Sequence, residues 1–411
     1  MQPKTDFDII IIGGGIVGLA SAYKIATAHP DLRIGVLEKE PDLATHQTGH
    51  NSGVIHSGLY YKPGSAKAAT CTAGRRELVE FARMHKIPHE ICGKIVVATD
   101  EAELPVMDEI LERGRQNGVE GLERIGPERI REIEPFVSGI AAIHVPCAGI
   151  IDFVQVARKL AELIQETADH KRVLTSHEVV AFDKHDFFTK VVTRTGQVST
   201  RYIINCAGLQ SDRVACMDHV DPPVRIVPFR GDYAELEGRA AGKVCNLVYP
   251  VPDPAFPFLG VHFTRMIGGS VECGPNAVFA LKREGYSRTA LSPRDLWEAL
   301  SYSGTWRLFA RHWRYGLGEY ARAFWKKLLV EQLRRLIPSL GAEDIRPGKV
   351  GVRAQAVGPA GELIDDFQIE TQGNAIHVLN APSPAATACL AIGTHVQKLA
   401  TEHFELQGSR P

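Results

Sequence analysis

The chain has 411 residues, with 47 Lys and Arg against 48 Asp and Glu for a formal net charge of −1. That length exceeds what one hydrophobic core usually organises, so two closely packed domains are expected, and near-zero charge argues against a nucleic-acid partner. Eight scattered cysteines without a CxxC pair exclude a zinc site or disulfide framework in favour of reduced thiols and a cytoplasmic setting.

No run of about 18 apolar residues exists to span a membrane. Only six residues precede Phe7, so no signal peptide is expected. The first element, FDIIIIGGGIVGLASAYKIA (7–26), reads as an apolar strand, a glycine turn and a helix. Gly13, Gly15 and Gly18 form G-x-G-x-x-G: a tight turn, a close approach to a pyrophosphate and close helix–strand packing. The helix N-terminus would offer N–H groups and its dipole to the phosphates. RIGVLEKE (33–40) is a second strand, with Glu38 where a ribose-binding carboxylate belongs and Lys39 beside it. This is a dinucleotide-binding, Rossmann-like unit that either NAD or FAD can use.

HQTGHNSGVIHSGLYY (46–61) has three histidines and three glycines and no apolar period, so it is a polar loop rather than helix or core strand. Such a loop directly after the dinucleotide unit favours FAD, whose ribityl chain and ring must be threaded past the second strand. Amphipathic helices follow over 103–118, closed by Gly118, and over 152–168, opened by Asp152 as N-cap. HEVVAFDK (177–184) reads as a strand whose edge, at Val179, would meet an adenine, and 185–206 as a hairpin turning at Thr195-Gly196. RYIINCAGLQSD (201–212) is a buried strand with the small pair Ala207-Gly208 at its carboxyl end, where open α/β sheets bind ligands.

Two arginines interrupt apolar runs: Arg230 in PFRGDY and Arg353 in KVGVRAQAV. A buried guanidinium must be paired, either by a structural carboxylate or by a substrate carboxylate. His262 and Arg265 should point to opposite faces of one strand, and His262 is the one expected to face the site. All four tryptophans fall in 297–325, and 306–336 carries eight Lys and Arg against two Glu, with aromatics at near-helical spacing. Gly316 and Gly318 are expected to split this stretch into two helices, and a basic aromatic helix suits a membrane surface, a domain contact or a subunit contact. NAPSPAATACLAIGTHV (380–396) should open a helix at about Pro384.

Several long motifs carry a resemblance. The loop 46–68 ending GSAKA, CAGLQSD, PFRGDY (228–233), YPVPDPAFPFLGVHFTR (249–265), GPNAV (274–278), GVRAQAV (351–357), LIDDF (363–367) and NAPSPAAT (380–387) are similar to those of the L-2-hydroxyglutarate oxidase/dehydrogenase family, within the D-amino-acid-oxidase-like flavoproteins. The likeness covers nearly the whole chain and is weakest over 285–345. It implies an α/β fold: a discontinuous FAD-binding domain (1–84, 146–220 and 346–411) and a mixed or antiparallel-sheet substrate domain (85–145 and 221–345). It also implies oxidation of L-2-hydroxyglutarate, a small dicarboxylate, to 2-oxoglutarate, with electrons passed to membrane quinone or oxygen from a peripheral position on the inner face of the cell membrane. In this resemblance Thr48, Gly49, Asn51, Ser52 and Gly53 serve the pyrophosphate and ring. His56 is the base, and Tyr60 or Tyr61 faces the substrate. Arg353 matches a Gly-x-Arg clamp with Gly351-Val352, and Pro384, Ala385, Ala386 and Thr387 face the flavin pyrimidine. The flavin is expected to be non-covalent. No metal is expected, since the i,i+4 pair His46 and His50 lacks a helix to converge on. Rival readings are the same chemistry on another 2-hydroxy acid, glycerol 3-phosphate or an amino acid, and a redox-sensing module without turnover; the latter needs no carboxylate clamp.

Overall fold

The computed structural model describes residues 4–253 and 260–406, so 254–259 of the motif 249–265 lie outside the described residues. The strand Phe7–Ile12 pairs in parallel with Ile34–Leu37 on one side and Gly196–Asn205 on the other. All three therefore end at one edge, bringing Gly13, Glu38 and Cys206 together. The strand is apolar throughout because both its faces are covered. Ile9 and Ile11 pack into a core with the helices Ile16–Ala28, Phe153–Thr167 and Cys389–His403, while Ile10 and Ile12 meet Leu37, Ile203 and Val214 on the other face. The sheet continues through Lys171–Leu174 at one end and the hairpin Phe188–Thr193/Gly196–Asn205 toward the other, which turns through Arg194-Thr195 between the paired Thr193 and Gly196, one residue before the expected Thr195-Gly196. Asp152 caps its helix by accepting from Val154 N and Gln155 N.

A second, nine-stranded sheet is mostly antiparallel, with the parallel pair Lys94–Ala98 and Leu247–Pro250 inside it. One face carries Ile95, Val97, Phe263 and Val271 against the helix Lys326–Leu336; the other carries Val96, Ala98 and Tyr249 against Leu104–Gln116. The strand Ile345–Val357 pairs along its length with Arg225–Leu236 of this sheet. The strand 345–357, which the sequence reading placed from 346 in the first domain, pairs in the second sheet, and the chain returns to the first sheet at Gln368–Gln372 and Ala375–Asn380. Alternating polarity in the strand could not say which sheet it would join.

Two helix boundaries also differ from expectation. Ser303–Phe324 runs straight through Gly316 and Gly318, with a kink at His312 (φ −120°, ψ 20°), and the break falls at Trp325. A mid-helix glycine costs only about 1 kcal/mol, which good helix formers around it offset. The last helix begins at Cys389, not Pro384. Residues 382–388 form tight turns instead, with Ala385 N donating to Pro382 O and Ala388 N to Pro384 O, both at 3.0 Å.

Candidate active site

A cavity of about 1010 Å³ runs from the carboxyl edge of the first sheet to the second sheet. At its near end lie Gly13, Gly15, Glu38 and Lys39, with Val179, Ala207 and Gly208 on the neighbouring wall. Gly13 has φ +107° and a Cβ there would stand 2.5 Å from the Cys206 carbonyl oxygen; at Gly18 it would stand 2.0 Å from Gly13 O. Gly18 therefore serves helix–strand packing and leaves the cavity wall to Gly13 and Gly15. Glu38 Oε2 accepts from Gly14 N at 2.8 Å and Thr48 Oγ1 from Ile16 N at 3.0 Å, so the turn is held open by its own side chains. A narrow backbone cradle at a helix N-terminus with a carboxylate on the adjoining strand fits the adenosine diphosphate half of a dinucleotide.

The loop 46–61 divides its labour. Asn51 and Ser52 line the cavity, as does Thr48. Gly49 and Gly53 do not supply the expected donors. Gly49 N is bonded to His46 O at 2.9 Å, and Gly53 N to Asn51 Oδ1 at 2.8 Å. A Cβ at Gly49 would lie 2.3 Å from Ala44 O, and Gly53 has φ +64°, so both residues shape the loop. Asn51 Nδ2 is committed to Gln47 O and Thr48 O. His46 stacks on Tyr286, and His50 packs tilted against the same ring. Glu40, His46 and Glu284 bring ligand atoms within 4.8 Å of one another, but Lys39 Nζ pairs with Glu40 and Glu284 and lies 2.7 Å from His46 Nε2. The place a metal would take is taken by an ammonium.

At the far end the cavity is walled by His56, His262 and Arg353. His56 follows the short strand Val54–Ile55, and its backbone N donates to Thr387 Oγ1 at 3.1 Å, which in turn donates to Val54 O at 3.2 Å. Thr387 thereby fastens the loop to the C-terminal turn, where Pro384, Ala385 and Ala386 also line the cavity. The backbone N–H groups of Ala386 and Thr387 donate to no backbone oxygen among the described residues. Burial, with Lys94 and His262 nearby, pushes the His56 pKa down to about 3. His262 falls to about 4, chiefly through burial. His262 Nδ1 lies 2.9 Å from Gly260 O, and a carbonyl can only accept, so the neutral ring carries its proton there and leaves Nε2 as an acceptor. Arg265, three residues on, turns away to Glu90 as alternation requires.

Arg353 is exposed by area, but that area is cavity wall with protein on every side, and the loss of water lowers its pKa. Arg230 also reaches the cavity wall. Its fork, however, is occupied by the structural carboxylate of Asp232, at 2.8 Å from Nε and 3.3 Å from Nη2. Tyr60 is not on the wall. Its hydroxyl is buried with no hydrogen-bond partner among the described residues, and Lys94 Nζ lies 4.7 Å over its ring. Groups that the sequence reading passed over complete the end wall: Tyr233 beside Arg353, Lys67 from the helix Ala66–Met84, and Tyr315 from Ser303–Phe324. Lys67 lay in plain view inside GSAKA; Tyr315 was masked by the tryptophans around it.

The helix Ser303–Phe324 thus has two jobs. Its inner face supplies Tyr315 and buried Glu319, which accepts from Ala277 N at 2.7 Å. Its outer face leaves Trp306, Trp313, Leu317 and Phe324 more than half exposed. No helix among the described residues is long and apolar enough to cross a membrane.

Residues 8–399 match the family model described as FAD dependent oxidoreductase. Among curated proteins, the L-2-hydroxyglutarate dehydrogenase of Indibacter alkaliphilus is 49% identical, covering 97% of this chain and 100% of its own. The mitochondrial enzyme of that name from Homo sapiens is 44% identical over 98% and 90%, and that of Escherichia coli 44% over 95% and 92%. Among solved structures, the FAD-bound L-alpha-glycerophosphate oxidase of Mycoplasma pneumoniae superposes with a TM-score of 0.77 over 98% of this chain and 96% of its own, at 21% identity, a likeness of fold. The cofactor is FAD.

Proposed function

From the membership of this chain in the FAD-dependent oxidoreductase family, alongside the L-2-hydroxyglutarate dehydrogenases, we propose that it oxidises L-2-hydroxyglutarate to 2-oxoglutarate. The observation that carries this reading is the meeting of Arg353 and two neutral histidines at the end of the cavity that begins at the dinucleotide cradle. Bound FAD supplies the hydride acceptor for C2–H of the substrate.

The chain's own residues do the rest. Arg353 offers a planar fork to a carboxylate, fixing the substrate by two parallel hydrogen bonds in a wall that excludes bulk water. His56, held neutral, accepts the proton of the C2 hydroxyl as the hydride departs, giving the ketone. His262, with Nδ1–H fixed on Gly260 O, presents a second neutral acceptor on the same wall. Arg230 and Asp232 pair with each other on the strand Arg225–Leu236, which lies beside the strand that carries Arg353.

For the electron acceptor we propose membrane quinone, with oxygen as the alternative. The exposed outer face of Ser303–Phe324, with Arg311 and Arg314 among its aromatics, supports a peripheral seat on the cytoplasmic membrane surface. The test of substrate is anaerobic mixing of the yellow holoprotein with L-2-hydroxyglutarate, its D-isomer, glycerol 3-phosphate and L-amino acids. Selective bleaching of the flavin by L-2-hydroxyglutarate is expected. Bleaching by another member of the set instead would replace the substrate.

A further inference from the structure

Lys67 stands in the first turn of the helix Ala66–Met84, just behind its Ser65 cap, and lines the same cavity as Arg353 and His56. A cation there opposes the helix dipole, which favours negative charge at that end. Its ammonium lies 5.0 Å over the Tyr61 ring. Asp365 and Asp366 act on it through charge at longer range, without a hydrogen bond, while Arg353 pushes against it. Burial lowers its pKa, so the charge is held at a cost that the surrounding protein does not fully offset. A lysine placed against its helix dipole, partly desolvated and lining a cavity, presents its charge to that cavity.

The end wall therefore carries two cations, the planar guanidinium of Arg353 and the point charge of Lys67. We propose that Lys67 binds the distal carboxylate of the substrate, so that it sets a preference for dicarboxylic over monocarboxylic 2-hydroxy acids. This rests on the reading that a 2-hydroxy acid is oxidised in this cavity. The two carboxylates then divide between unlike partners: the planar fork fixes the reacting end in orientation, and the flexible lysine measures chain length and charge at the other.

Two measurements on the FAD-bound protein test it. The first compares kcat/KM for flavin reduction by L-2-hydroxyglutarate and by L-2-hydroxyvalerate, which has a methyl group in place of the distal carboxylate. In Lys67→Met the ratio should fall at least about tenfold, the size of one charge-assisted hydrogen bond, and Lys67→Arg should restore part of it. Equal slowing of both acids, or an unchanged ratio, would overturn the assignment. The second titrates the oxidised protein with glutarate and with pentanoate, read as a shift of the flavin absorbance. Glutarate should bind more tightly to the wild type, and the advantage should shrink at least about tenfold in Lys67→Met. This readout needs no turnover. If L-2-hydroxyglutarate is not oxidised but glutarate binding still depends on Lys67, the proposed reaction fails, and Lys67 keeps only its role as the cation that binds a dicarboxylate in this cavity. If oxidation is seen and glutarate binding is indifferent to Lys67, the assignment fails alone.

Discussion

Phe229 faces Arg353 across the antiparallel ladder of Arg225–Leu236 and Ile345–Val357, while Arg230 faces Val352. Side chains alternate along a strand, so the two arginines leave the ladder on opposite faces and do not converge on one carboxylate. Two arginines that look alike in sequence therefore have separate fates. Arg353→Lys keeps the charge and loses the fork. Its kcat/KM should fall at least about tenfold with FAD still bound. Normal turnover would move the clamp elsewhere.

Arg230→Met should act on stability instead. Among the described residues it leaves Asp232, buried at 8% exposure, with Arg288 at 3.5 Å as its one remaining ion-pair partner. The expected loss is about 2–3 kcal/mol, read from denaturant unfolding, and Asp232→Asn in the same chain should recover part of it. A stable Arg230→Met protein with impaired substrate binding would return Arg230 to the substrate.

His56→Gln keeps a hydrogen-bonding side chain and removes the base. Anaerobic flavin reduction should slow by roughly 10²–10⁴. An unchanged rate with only a shifted flavin spectrum would leave His56 a structural role.

The two histidines also set a pH dependence. Their pKa values in the folded protein, about 3 and about 4, lie below the ordinary 6.5. As pH falls from 6.5, the unfolded chain takes up protons that the native state refuses, so stability declines toward pH 3, at up to about 1.4 kcal/mol per group per pH unit. Lys94, 2% exposed between the rings of Tyr60 and Tyr249, is one of the charges that hold both histidines down. Lys94→Met should move the acid limb of kcat/KM to higher pH with the fold and FAD retained. An unmoved profile would mean that burial and the other nearby charges, not Lys94, set the two values.

The outer face of Ser303–Phe324 gives the last prediction. Arg307 is tied to Pro359 O, so the informative changes are at exposed Arg311, Arg314, Lys326 and Lys327. Wild-type protein should sediment with anionic vesicles at low salt, each cation contributing about 1 kcal/mol, and be released as ionic strength rises. Charge reversal at the four positions should abolish sedimentation while flavin reduction continues. Equal binding to neutral and anionic vesicles, or none to either, would assign the aromatics to a protein contact.

Much of the dinucleotide end was legible from residues alone. Gly13, Gly15, Gly18 and Glu38 declare their task by spacing, because a turn and the strand beside it are local geometry, and Asp152 as a cap is local in the same way. Strand alternation placed His262 and Arg265 on opposite faces. It could not say which face would look into a cavity, nor that Asp232 would occupy Arg230, nor that the strand carrying Arg353 would join the second sheet. Those outcomes depend on pairings far apart in the chain: Arg225–Leu236 with Ile345–Val357, and the Thr387 hydroxyl with the backbone of His56. Lys67 shows the difference most plainly. In sequence it is one helix lysine among 47 basic residues, and only the packing of its helix beside Arg353 makes it a charge in search of an anion.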